Sequence, residues 1–289
     1  MSAPLPASFA DAQRDIGVAL DQLLTTPGPK DPVLDAMRYT LLAPSKRVRA
    51  VLVHLAADVC GDRTRAMPAA VAVECIHASS LILDDLPSMD NAPLRRGRPA
   101  AHIAHGEAVA ILAAFGLLNL GYAHLAHAYP APLAARVTAL YSDAVGLDGL
   151  IAGQAEDVLA TNAVIDFDTL ERIHRRKTGV LFSAAAQAGA LSAGANDAAV
   201  ASLTSYAKNL GLAFQIVDDV LDVVGTEAET GKAVRADARK TTFVSFSGVD
   251  GARELASELC ATAEQALDPF GRRADPLREL ARFVIGRRT

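Results

Sequence analysis

Asp84, Asp85 and Asp90 close an apolar run, ECIHASSLILDDLPSMD. Pro87 lacks an amide hydrogen and its ring clashes with a helical carbonyl, so it stops a helix. Asp84 and Asp85 then fall on the last turn, and Asp90 on the chain that turns back. Converging carboxylates suit a hard divalent cation that takes oxygen ligands. A solvated acidic helix end is the alternative, yet acids there meet the negative end of the helix dipole and need a compensating charge. A second set, Asp218, Asp219 and Asp222, follows LGLAFQIV. Asp218 and Asp222 are four apart, which stacks them on one helical face where they repel. Two such motifs are a stronger signal than either alone. On antiparallel helices both can face one cavity mouth and hold several Mg²⁺, the usual device for gripping substrate phosphates.

Basic residues gather beside these acids. Lys46, Arg47 and Arg49 follow a break at Pro44; Arg95, Arg96 and Arg98 follow the first acidic motif; Lys177-Thr178-Gly179, Lys232 and Lys240-Thr241-Thr242 come later. In a chain of formal net charge −5, such grouping points to a diphosphate, which Arg grips as a planar fork and Lys as a point charge. Surface salt bridges are the alternative, and Arg47 and Arg98 are the weakest members. His77, two turns before Asp84, is either a diphosphate contact or a satisfied core histidine. Gln215, three before Asp218, reads as a substrate or water contact. His102, His105, His124 and His127 scatter, the last two as surface or packing residues. No Gly-rich nucleotide loop or Ser-His-Asp array is visible, so nothing suggests hydride transfer or hydrolysis through a covalent intermediate.

The elements that must carry these residues are helices. Apolar periodicity predicts them over 9–24, 31–42, 48–59, from 67 to the first acidic motif, and over 107–128, 133–160, 167–190, 197–224, 251–266 and 277–285. Connections are short except 88–104 and 225–240, both rich in charge and glycine. Without a linker or a regular repeat, one all-α domain over 1–289 is the simplest organisation. The composition agrees: 51% hydrophobic, 5% aromatic and no Trp among 289 residues, an Ala-rich, helix-friendly chain poor in the residues sheets prefer. A pI near 5.8 gives no reason to expect nucleic acid as a partner. Cys60, Cys75 and Cys260 are odd in number and lack metal-like spacing, as isolated thiols in a reducing compartment would. The N-terminus has no basic segment leading into an apolar one, so a cytoplasmic location is expected. The stretch 108–120 is too short to span a bilayer and reads as a buried core helix.

LILDDLPSMDNAPLRRGRP, the KTG at 177–179 and GLAFQIVDDVLD together resemble the trans-isoprenyl diphosphate synthase (polyprenyl synthetase) family, from about Met37 to the C-terminus. The resemblance implies a single-domain bundle of ten or more helices around a deep central cavity, usually a homodimer. It implies that Asp84, Asp85, Asp90, Asp218 and Asp222 bind three Mg²⁺ that grip an allylic diphosphate. Arg95, Lys177, Gln215 and Lys232 would help hold that diphosphate, with Lys240 closing over it. Lys46, Arg49, His77 and Arg96 would hold isopentenyl diphosphate, and Thr178 would stabilise positive charge near the reacting carbons. A basic end such as Arg287-Arg288 often reaches the diphosphate. There are departures: Pro44-Ser45-Lys46 stands where the family has Gly-Gly-Lys, Asn91-Ala92-Pro93-Leu94 replaces a more acidic stretch, and the segment from Lys232 to Lys240 is two residues shorter, which weakens the roles of Asp237 and Lys240.

The charges suggest a mechanism. By that resemblance, Mg²⁺ and cationic side chains would draw electron density onto the leaving diphosphate so that the allylic C–O bond breaks. The isopentenyl double bond would attack the allylic carbon, and loss of a proton to the departing diphosphate would regenerate an allylic product. An apolar cavity keeps water from the cation. Product length then depends on cavity depth. Counting back from Asp84, Ser80 and Ser79 lie one turn down and Ile76 a turn below. In this family an aromatic five before Asp84 gives an early floor. Ser79 is small, which favours geranylgeranyl diphosphate (C20) over farnesyl diphosphate (C15) or longer chains, unless another helix, such as one bearing Phe115, plugs the space. LILDDLP and KTTFVSF are most similar to bacterial geranylgeranyl synthases of carotenoid and bacteriochlorophyll pathways. A terpene cyclase should lack the second diphosphate site, and a silent partner subunit should have lost an acidic motif; both motifs are intact.

Overall fold

In a computed structural model, the structure describes residues 7–25, 30–224 and 240–287. The chain winds through α1 (Ala7–Leu23), α2 (Pro32–Leu41), α3 (Val48–Val59), α4 (Met67–Asp84), a short hairpin of β1 (Leu94–Arg95) and β2 (Arg98–Pro99), α5 (Ala101–His105), α6 (Glu107–Ala128), α7 (Ala131–Val145), α8 (Leu150–Leu159), α9 (Phe167–His174), a π-turn (Arg175–Gly179), α10 (Val180–Ser192), α11 (Asp197–Val224), α12 (Phe243–Gln265), a 3₁₀ segment (Asp268–Ala274) and α13 (Asp275–Ile285). One continuous apolar core runs from Phe9 to Val284. Buried alanines let helices approach closely, and α4, α3, α10 and α11 form its centre, with α6 against α4 and α12 against α11.

Local chemistry sets the helix ends. Asp31 caps α2 by accepting from Val33 N at 2.8 Å and Leu34 N at 3.3 Å, with Pro32 just inside. Asp166 caps α9 through Thr169 N at 2.8 Å. Thr242 and Ser245 form a reciprocal capping box that starts α12.

Three differences from the periodicity reading stand out. The stretch 133–160 is two helices, because Gly146 and Gly149 bracket a turn after α7. The stretch 167–190 is interrupted by the π-turn at Arg-Arg-Lys-Thr-Gly, a widened turn of a kind frequent at functional sites. The helix expected over 251–266 starts earlier, at Phe243, across a kink at Gly248.

Nor is α6 simply a buried core helix. At 22 residues it is long and apolar enough to cross a membrane, as is α4. Whereas α4 is mostly buried, only one face of α6 packs inward, through Ala110, Ala113, Ala114, Leu117, Gly121 and Leu125. Leu112 and Phe115 lie on its outer face, Phe115 at 61% exposure, so Phe115 does not plug the interior of its own chain.

Candidate active site

The first acidic motif forms as its sequence requires. After α4 the chain folds back on the helix end: Asp90 N donates to Asp84 O at 3.0 Å, Asn91 N to Leu86 O at 3.0 Å and Ala92 N to Asp85 O at 3.2 Å. These bonds satisfy carbonyls that a helix C-terminus leaves open and return Asp90 beside Asp84. The hairpin then turns through Arg96 (φ 55°) and Gly97 (φ 72°), two consecutive left-handed residues as a two-residue turn of type I′ needs. That turn points Arg95 back at the acids. Its Nε donates to Asp85 at 2.9 and 3.0 Å, its Nη2 also bonds Asp85, and Asp84 lies at 3.8 Å. Arg98 stacks over the Tyr39 ring at 4.0 Å, and Tyr39 donates to Pro99 O at 2.8 Å. Arg98 therefore packs the hairpin against α2.

The π-turn joins the two acidic motifs. Lys177 reaches Asp84 at 3.1 Å, while the next residue, Thr178, donates to Gln215 Oε1 at 2.9 Å, one turn before Asp218 on α11. Gly153 of α8 lies directly beneath: a Cβ there would stand 2.4 Å from Lys177 N. Lys240 bonds Asp90 and Asp157, each at 2.8 Å. Burial pushes the Asp84 carboxyl up, but Lys177 and Arg95 outweigh it and hold the group below its ordinary value. Burial likewise opposes the charge on Lys177, and Asp84 and Asp157 overcome it, so that amine stays protonated.

The other set is almost purely cationic. The Arg49 guanidinium lies 3.2 Å from His77 Nε2 and 4.7 Å over the Phe182 ring, and its Nε is buried with no hydrogen-bond partner. Burial, then Arg49, Arg96, Arg95 and Arg47, push the His77 imidazole far below its usual range, so the ring is neutral and can accept from Arg49. Burial also lowers Arg49 and Arg96 to about 10. Lys46 falls to about 8, through burial and then the Arg287 charge. Arg287 bonds Asp218 at 2.9 Å and lies 3.8 Å over Phe214, so the basic end meets the second acidic motif. Crowded cations that depress one another are relieved by an anion. A direct consequence concerns pH. Above about pH 8 the Lys46 amine is neutral in the unliganded protein, so the KM for an anionic substrate held there should rise as pH passes about 8. Steady-state KM against pH checks this, and Lys46→Met should start from a higher KM and flatten the rise.

Arg47 turns away from this cluster. It has a left-handed backbone (φ 52°), and its buried guanidinium pairs with Glu74 at 3.0 Å and donates to the carbonyls of Leu41 and Ala43. Asp222 is half-buried one turn beyond Asp218. Lys232, Asp237 and Arg288 lie outside the described residues.

Sequence reasoning missed four residues here and did not foresee where one member of the second acidic set points. Asp157 accepts from both Lys177 and Lys240, and Gln154, three before it on α8, donates to Asp84 at 2.7 Å. That spacing puts both on one face, the only signal available. Glu74 lies one turn before His77. His174, at the end of α9, is buried against Phe243 with neither ring nitrogen hydrogen-bonded, and burial takes it to about 4. Asp219, inside the second motif, faces inward rather than toward the other acids.

The donor set fits a hard divalent ion: oxygen-only carboxylates at two helix ends. Among the described residues no three acidic, His or Cys groups form a ready-made cage, so Mg²⁺ held there by one or two carboxylates would complete its shell with water or phosphate oxygens.

Residues 30–265 match the polyprenyl synthetase family model. The chain is 40% identical over 280 residues to a chloroplastic geranylgeranyl pyrophosphate synthase of Capsicum annuum, covering 94% of this chain and 76% of that one. It is 41% identical over 272 residues to a farnesyl diphosphate synthase of Escherichia coli strain K12, covering 90% and 91%. A Helicobacter pylori geranyltransferase crystallised with magnesium and isoprenyl diphosphate superposes with a TM-score of 0.86 at 28% identity, over 99% of this chain and 97% of that one. An all-helical bundle with two acidic motifs bridged by a π-turn is the framework of a prenyl-transferring synthase. The chain belongs to the polyprenyl synthetase family, the trans-isoprenyl diphosphate synthases.

Proposed function

We propose that this protein condenses isopentenyl diphosphate head to tail with allylic diphosphates, depends on Mg²⁺, and yields mainly geranylgeranyl diphosphate with release of diphosphate. The observation that carries the reading is the pair of unlike charge sets, one cationic around Lys46, Arg49, His77 and Arg96, the other an acid–cation mesh around Asp84 that Lys177 and Thr178 tie to α11. The first suits a diphosphate held by side chains alone; the second suits one held through metal. Bound there, Mg²⁺ would neutralise the leaving diphosphate as a Lewis acid, held by Asp84, Asp85, Asp90, Asp218 and Asp222. Arg95, Lys177, Gln215, Lys232 and Lys240 would orient that diphosphate, and the Thr178 oxygen would face the electron-poor carbons. The superposed geranyltransferase, crystallised with magnesium, supports this reading.

On product length, Ile76 and Ser80 stack beneath Asp84 on its own helical face. Ser79, at 3% exposure, lies on the stripe of Ala72 and Cys75, against which Gly121 of α6 packs so closely that a Cβ would meet both at 3.2 Å. The small Ser80 beneath Asp84, with no aromatic on that stripe down to Ile76, favours C20. The C15 product is the second reading, favoured by the farnesyl-named relative. Purified protein incubated with Mg²⁺, isopentenyl diphosphate and C5, C10 or C15 allylic diphosphates, with products resolved by length, tests both; no condensation with any starter would sink the reading. Ser80→Phe is expected to shift the main product to C15 or shorter, and an unchanged product would place the floor elsewhere. Ser79→Phe would in addition force α4 from α6 and lower stability.

We place the enzyme in the cytoplasm, which suits its three free thiols, as a homodimer in which a second copy covers Leu112 and Phe115. Supply of C20 precursor to carotenoid-type pathways rests on the LILDDLP and KTTFVSF likeness alone.

A further inference from the structure

We propose that Asp219 is a positioning residue for the condensation, acting through Gln215 to fix which way the Thr178 hydroxyl points. Its carboxylate is 2% exposed within α11; one oxygen accepts from Gln215 Nε2 at 3.0 Å and the other from Phe243 N at 3.0 Å. Chemistry fixes the direction of each bond. An ionised carboxylate only accepts, so Gln215 must present its NH₂ group to Asp219. The Gln215 carbonyl then faces Thr178 at 2.9 Å, and a carbonyl also only accepts, so Thr178 must donate its single hydroxyl hydrogen there. Both lone pairs of the Thr178 oxygen are left for the space beside Lys177 and the acids, where positive charge develops on carbon. With the opposite amide orientation the hydroxyl hydrogen would point at that charge and oppose it.

The assignment separates the members of the second acidic motif. Asp218 and Asp222 face the diphosphate side, while the middle carboxylate turns inward and sets a dipole two residues removed from itself. The inference rests on the condensation reading, so wild-type turnover is the first control.

Asp219→Asn keeps size and shape. If its carbonyl stays on Phe243 N, its NH₂ group confronts Gln215, which must flip and donate to Thr178. The experiment compares kcat for Asp219→Asn in the wild-type and Thr178→Val backgrounds, with helicity and melting temperature recorded for each. The expected result is a fall in kcat of roughly tenfold to a hundredfold, the scale of a misdirected polar contact to developing charge, with allylic KM held within about twofold. In the Thr178→Val background, where no hydroxyl remains to be misdirected, Asp219→Asn should cost nothing further. An equal loss in both backgrounds, or an unchanged kcat in the single variant, would overturn the proposal and leave Asp219 only anchoring Phe243. Gln215→Leu, which breaks the same relay without touching Phe243 N, gives a second cycle against Thr178→Val and serves if Asp219→Asn does not fold. Because Gln215 also orients the diphosphate, allylic KM should rise equally in both backgrounds, while the kcat loss should remain non-additive. Wild-type protein that fails to condense at all would sink the condensation reading itself.

Discussion

Asp84→Ala should abolish condensation while the bundle stays folded. The loss expected is roughly a thousandfold or more in kcat, equivalent to about 4 kcal/mol of barrier. The fold should survive because the end of α4 has other anchors: Arg95 remains on Asp85, and Lys177 keeps Asp157 at 2.7 Å. Asp218→Ala should do the same from the other motif, and it also strips Arg287 of its 2.9 Å partner. Turnover, circular dichroism and calorimetric titration of Mg²⁺ in the presence of a non-reactive diphosphate separate these effects. Near wild-type turnover in either variant would mean that the acids are structural and the metal assignment is wrong.

A larger cost in stability is expected from a residue that touches no substrate. Glu74→Ala leaves the Arg47 guanidinium buried with only the carbonyls of Leu41 and Ala43, and breaking one side of a buried ion pair costs about 3–5 kcal/mol. Glu74 is 2% exposed and also accepts from Ala50 N at 3.4 Å, so the start of α3 loosens too. Replacing both partners, as Arg47→Met with Glu74→Met, should return most of the melting temperature, since a buried pair exchanged for apolar side chains is often neutral. The KM for isopentenyl diphosphate should not return with it. Lys46 and Arg49 flank Arg47, whose left-handed backbone persists only because its side chain is tied inward. Chemical denaturation gives the first quantity and steady-state kinetics the second; a double variant with ordinary KM would show that the pair serves stability alone.

Much of this architecture was legible because helices announce themselves through periodicity and breakers. The bounds of α3, α6 and α11 matched, as apolar runs ended at glycine, proline or polar residues. The π-turn was not legible, since a widened turn changes hydrogen-bond register without changing apolar spacing, and Lys-Thr-Gly looks like ordinary helix. The break between α7 and α8 had a signal, Gly146 and Gly149, that a count of apolar residues overrides. At the site, Asp84, Asp85 and Asp90 could be read because acids clustered at a helix end, and Lys46, Arg49 and Arg95 because cations clustered in a chain of net negative charge. Asp157 and Glu74 could not. Each is a single acid on an otherwise ordinary helical face, and only tertiary packing brings it to Lys177 and Lys240, or to Arg47.

The ion pairs of the acid mesh bear on how the protein tolerates so much charge in its interior. Lys177 sits on Asp84, Lys240 on Asp90, Arg95 on Asp85 and Arg287 on Asp218. The molecule thus carries its own counterions. In the proposed reaction, a substrate arriving with its cations would not enter a bare electrostatic field; it would trade places with tethered ammonium and guanidinium groups, which would exchange carboxylate for phosphate. Such an exchange changes little net charge inside the fold, so added salt, which screens exposed charges most, should disturb the folded protein far less than it slows the first encounter with substrate.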